Sequence, residues 1–138
     1  MRLILSILCT ITLFFSCKST QFTPKNYKGD QLVVGSSGGV TGMLKEFVLL
    51  DNGQLFVSNG LKGEWKEVRQ LKKSKTKEIF GKATELELGT LKFKHPGNMT
   101  YYLALKRPPR SNEIRWGESG VPPPDGVRAF YDYLIALF

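Results

Sequence analysis

Cysteine and histidine are nearly missing from this chain of 138 residues, which holds two of the first and one of the second. Cys9 lies inside an apolar N-terminal run and Cys17 closes it. That leaves no pair for a disulfide, no thiolate cluster for zinc and no spare cysteine nucleophile. His95 stands alone, whereas the common zinc sites need several Cys or His ligands, so neither a metal nor another cofactor is implied. Carboxylates are scarce too: 12 face 20 lysines and arginines, for a formal net charge of +8. No apolar run reaches the roughly 18 residues that a membrane-spanning helix requires. Internal repeats and low-complexity tracts are absent as well.

What is present begins at the N-terminus. Arg2 supplies a positive start, and Leu3–Phe15 is apolar apart from Ser6, Cys9, Thr10 and Thr12. Positive start, short apolar run and small residue at its end have the form of an export signal. Phe14-Phe15-Ser16-Cys17 resembles a lipobox, in which a small residue precedes the cysteine that becomes acylated. The expectation is therefore a signal peptide over residues 1–16 and a lipidated Cys17. Several acyl chains on one residue anchor far more firmly than one chain, whose binding is marginal.

Removing the signal leaves enough chain for one compact domain, and the charge falls by one with Arg2. A basic balance suits nucleic acid in general, but an exported protein does not meet it. An anionic envelope component or an acidic envelope protein is the expected partner class. Lys18–Asp30 is polar and aperiodic and reads as a tether, so the domain is expected over residues 31–138.

Gln31–Val34 opens the domain as a short apolar strand and leads into the glycine-rich Gly35–Gly42. Phe47–Leu50 and Leu55–Val57 flank Asp51-Asn52-Gly53-Gln54, and Asn-Gly supplies the positive φ that a tight hairpin needs. A second turn at Asn59-Gly60 leads to a strand at Glu64–Leu71. Ile79, Phe80, Ala83 and Leu86 then fall at helical spacing, with Ser74 as the expected N-cap. Leu91–Lys94 and Met99–Lys106 read as strands joined by His95-Pro96-Gly97-Asn98, whose Pro and Gly suit a type II turn. Arg107–Asn112 is a loop, Glu113–Trp116 a strand, and Pro122-Pro123-Pro124 a stiff connector. Asp125 is placed to cap a last helix, Val127–Phe138, whose apolar residues share one side. The sum is α+β: a mostly antiparallel sheet of hairpins with two helices packed on it, the second at the C-terminus.

Chemistry-bearing residues are few. Gly35-Ser36-Ser37-Gly38-Gly39 has the letters of a nucleophile elbow, but no helix follows it, so a hydrolase using Ser36 or Ser37 with His95 is only the alternative. No Gly-Lys-Ser/Thr completes a phosphate loop, although Gly38, Gly39, Thr41 and Gly42 present backbone that can cradle an anion. Lys92, Lys94 and Arg115 are candidate contacts for an acidic partner, and Trp116 is a candidate aromatic lip. Asn98-Met99-Thr100 matches a glycosylation sequon and is read as chance.

Gly38-Gly39-Val40-Thr41-Gly42, Leu49–Phe56, Pro96-Gly97-Asn98 with Tyr101-Tyr102, and Trp116-Gly117 together give the mature chain a resemblance to small Bacteroidota lipoproteins. The resemblance implies an envelope location and brings no activity with it. By the same likeness, the lack of an acidic cluster behind Cys17 implies an outer-membrane protein that faces the periplasm. The function expected on these grounds is a non-enzymatic, lipid-anchored binding module.

Overall fold

The computed structural model describes residues 21–138 apart from Met43 and residues 60–62. The expected signal over Met1–Ser16, the lipidated Cys17 and Gly60 of the second expected turn lie outside the described residues. Seven strands form one sheet: β1 (Gln31–Gly38), β2 (Lys45–Leu50), β3 (Gln54–Asn59), β4 (Trp65–Gln70), β5 (Lys94–His95), β6 (Met99–Arg107) and β7 (Arg110–Trp116). Helix α1 (Lys73–Glu85) follows β4, and α2 (Val127–Ile135) follows β7. The sheet order is β4-β3-β2-β1-β6-β7-β5, antiparallel everywhere except between β5 and β7. The molecule has the α+β architecture expected from its sequence, with the second helix near the C-terminus.

Alternation along the central strands divides the apolar residues between two faces. Leu32 and Val34 of β1, Phe47 and Leu49 of β2, Leu103 and Leu105 of β6 and Ile114 of β7 point to one side. There they meet Ile79, Phe80 and Ala83 of α1 and Val127, Phe130, Tyr131 and Leu134 of α2. Val33, Val48, Leu50, Phe56, Tyr102 and Ala104 point to the other side, where Phe22, Tyr27 and Trp65 pack on them. A central strand in a two-sided sheet must be apolar on both faces, which explains the unbroken run Leu32-Val33-Val34.

The β2–β3 hairpin forms where Asn52-Gly53 places it. Gly53 has φ +93°, and the Gln54 backbone N–H donates to the Asn52 side chain at 3.0 Å. Register across this turn pairs Leu49 with Leu55, keeping both on the helix-covered face.

Several local expectations give way. The described part of the expected tether, Gln21–Asp30, forms a turn closed by Asn26 N–H to Thr23 O at 3.1 Å. Phe22 and Tyr27 then bury against the second face, because their rings cover apolar surface that a wholly polar tether would leave wet. Gly35–Gly38, expected to leave the sheet, continue β1, since Gly35 through Gly38 pair with Tyr102 through Met99. The segment before His95 does not pair with β6: β7 lies between them, and β5 is a short edge strand parallel to β7. Gly97 is absent from the positive-φ glycines; it is glycine because the Gly117 carbonyl packs where a Cβ would stand. Lys72 rather than Ser74 sits at the N-cap of α1, with no side-chain cap, because the helix begins at Lys73. Gly126 at φ +79° takes the N-cap of α2 in place of Asp125.

The sheet has two distinct ends. At the entry end lie Gln31, the turn at Asp51–Gly53, the β4–α1 junction and the Pro108-Pro109 turn. At the far end lie Gly38–Gly42, the turn after His95 and the loop following Trp116.

Candidate functional site

Register rows place the far-end side chains. Ser36, Tyr101, Trp116 and His95 occupy one row across β1, β6, β7 and β5. Tyr101 and Trp116 are on the helix-covered face, where Trp116 stacks with Tyr101 at 6.1 Å and meets Tyr131 of α2 edge-on at 5.2 Å. Arg128 of α2 stands over the Tyr101 ring at 5.8 Å. The chain then leaves β7 through Gly117, whose φ of +146° and tight approach to the Met99 carbonyl exclude a side chain. It returns over the aromatic row as Val121-Pro122-Pro123.

The result is an open cleft of about 340 Å³ with Tyr101 and Trp116 as floor and Gly120, Val121, Pro122, Pro123, Glu118 and Arg128 as walls. Trp116 is only 2% exposed, so it anchors the core as well as closing the cleft. Its indole N–H is buried and has no acceptor among the described residues. A buried donor left unpaired costs about 1–3 kcal/mol, which makes this atom conspicuous. Glu118 accepts from or pairs with His95 Nδ1 at 3.0 Å, and Phe93 lies against the imidazole at 4.7 Å.

The same row separates the serine–histidine pair of the hydrolase alternative. Ser36 and His95 stand three strand spacings apart, about 14 Å at the backbone, far outside hydrogen-bond reach. Ser36 lies instead beside the Tyr131 phenol, whose pKa burial raises and this hydroxyl partly restores. Ser37 points to the opposite face from that row by strand alternation.

The glycine segment is occupied by its own chain. Gly39 N–H donates to Asn98 O at 2.9 Å, Gly42 N–H to Gly39 O at 3.2 Å, and Gly38 packs on the Asn98 carbonyl. These amides are committed locally and do not converge on an external anion, while Thr41 is exposed at the tip.

The basic candidates also part company. Lys92 donates to Asn112 Oδ1 at 2.9 Å. Lys94 and Arg115 are register partners on the second face. There Arg115 pairs with Glu113 and lies 5.1 Å from the Tyr102 ring, and Glu113 holds the guanidinium pKa above its usual value. Trp116 belongs to the other face, so these residues do not form one patch.

Two features are illegible in the sequence. Arg128 joins the cleft only because α2 crosses the aromatic row, a long-range packing choice. Tyr102 reaches across Gly35 to donate to Glu46 Oε2 at 2.6 Å, linking residues that sit far apart in the chain. Among the described residues no group of three His, Cys, Asp or Glu is placed to hold a metal ion, and no helix is long and apolar enough to cross a membrane.

No protein-family model matches this sequence, and no curated protein is similar to it.

Proposed function

We propose that this chain is a non-enzymatic binding module of the bacterial cell envelope, anchored by acyl chains on Cys17 and engaging another envelope component through the Tyr101–Trp116 cleft. The observation that carries the reading is the cleft itself: an aromatic floor, a guanidinium on one wall, and a place at the end of the sheet away from Gln31. An aromatic surface with a cation beside it suits a partner that offers an apolar face and negative charge. Lipidation in an outer membrane, facing the periplasm, supplies the setting.

The test is crosslinking in intact envelopes with Arg128→Glu beside the wild type. Arg128 is exposed and no part of the core; it stands over Tyr101 and pairs with Asp132 at 3.6 Å, so charge reversal leaves the core packing in place. The reading predicts a wild-type adduct that Arg128→Glu weakens by about tenfold, as for an interface side chain contributing 1–2 kcal/mol. An identical adduct pattern in both proteins would remove the cleft from the account.

A further inference from the structure

A second groove runs between α1 and the last residues of β6, and the cleft makes no use of it. Its volume is about 420 Å³, within the range of about 300–1,000 Å³ typical of sites for small molecules. Two periods bring its walls together. Arg107 follows Leu103 and Leu105 at every second position of β6, which places it on the helix-covered face. On α1, Lys73, Lys77, Gly81 and Thr84 recur at the spacing of one helix side, and all four line the groove.

The charges in the groove are unequally committed. Asp30 holds Arg107 Nε at 2.8 Å, and Thr84 Oγ1 accepts from Arg107 Nη2 at 2.8 Å. The guanidinium is thereby fixed, and its other N–H donors have no acceptor among the described residues. Asp51 accepts from the Tyr27 phenol and from the Asp30 backbone N–H. Lys73 and Lys77 have no carboxylate within 4 Å among the described residues, although both aspartates line the same groove. Off the groove, Lys75 and Lys82 of the same helix pair with Glu78 and Glu85 at 3.0 and 2.9 Å. Three cations against two carboxylates leave the groove with one positive charge in excess.

Gly81 adds an independent sign of an occupant. Glycine weakens a helix interior, so a glycine there needs a reason. Packing does not supply one, because a Cβ at Gly81 would meet no atom within 4 Å, and its φ is not positive. What the missing side chain does is leave the groove open beside Phe80. A fixed guanidinium and two uncommitted ammonium groups complement oxygen atoms that carry negative charge. We propose that this groove binds a small organic acid. Its oxyanion group, carboxylate or phosphate, sits among Arg107, Lys73 and Lys77, and its carbon body lies over Gly81 and Phe80. The site depends neither on the aromatic cleft nor on Cys17.

The experiment takes the full-length protein and acetylates its lysines in millimolar valerate, glycerol phosphate or neutral glycerol at matched ionic strength. Rates are read residue by residue by peptide mass spectrometry. The expected result is several-fold slower labelling of Lys73 and Lys77 with one or both acids, no change with glycerol, and unchanged rates at Lys75 and Lys82. The acid that protects identifies the oxyanion. Gly81→Leu fills the groove with a better helix former, so protection is lost while the Tm stays level or rises. Lys77→Gln, at an exposed position, weakens the protection of Lys73 several-fold. Protection by neither acid, equal slowing of every lysine, or undiminished protection in either variant would overturn the inference.

Discussion

Gly35 carries no side chain, and Tyr102 uses the space. A Cβ at Gly35 would collide with the Tyr102 phenol and lie 2.8 Å from the Lys45 carbonyl oxygen. Overpacking of this kind costs about 1–3 kcal/mol, so Gly35→Ala lowers the unfolding free energy by that amount, read as a lower urea midpoint with an unchanged m-value. A midpoint equal to that of the wild type would show that the tyrosine does not lie across β1. Tyrosines also set a pH response. Burial, reinforced by the hydrogen bond to Asp51, pushes the Tyr27 pKa from 10.0 up to about 12, and burial with the Glu46 hydrogen bond raises that of Tyr102 as well. Above pH 10 the unfolded chain releases these protons before the folded one does. Stability is therefore full below pH 10 and falls as pH rises toward 12, and Tyr27→Phe flattens that decline. A stability that stays level across this range would contradict the burial of both phenols. The glycine-rich composition of Gly35–Gly42 was plain in the sequence; that Gly35 serves a tyrosine on another strand was not, because nothing local encodes which strands become neighbours.

At the scale of elements, the hairpin and both helices announce themselves through Asn52-Gly53 and the spacing of Ile79, Phe80 and Ala83, signals that act within one or two turns of chain. Ends and pairings do not. The Leu91–Lys94 segment looks like the partner of β6, yet Gly97 follows the space left by Gly117 and sends the chain to the outer edge beside β7. Helix starts were misplaced for a related reason: capping residues were present in the sequence but the helices begin without them. Lys72 has the extended backbone of an N-cap, φ −64° and ψ 146°, and lacks an acceptor side chain. Lys72→Ser supplies one and should raise stability by about 0.5–2 kcal/mol, read in urea or thermal unfolding. A neutral or lower stability would mean that the lysine itself supports the helix start.

Across the whole molecule, the two ends of the sheet differ in what they expose. The aromatic cleft opens at the end where β6 begins and β7 ends, and the Asp30–Arg107 pair lies beside α1 at the opposite end. The sequence revealed the basic balance and the presence of Trp116, but not this polarity. Arg115, a candidate contact for an acidic partner, and Trp116, a candidate aromatic lip, stand on opposite faces, since a period of two sends neighbours in sequence to opposite sides. Lys73, Lys77 and Arg107, separated in the chain, line one groove because α1 packs beside the end of β6. The proposed function depends on Cys17, so the decisive measurement is the intact mass and membrane partitioning of the chain from its native envelope, wild type beside Cys17→Ala. The account predicts a chain beginning at Cys17 with an acyl-lipid mass gain, found in the membrane fraction, and loss of both in the variant. Wild-type protein that is unmodified and free of the membrane would contradict it.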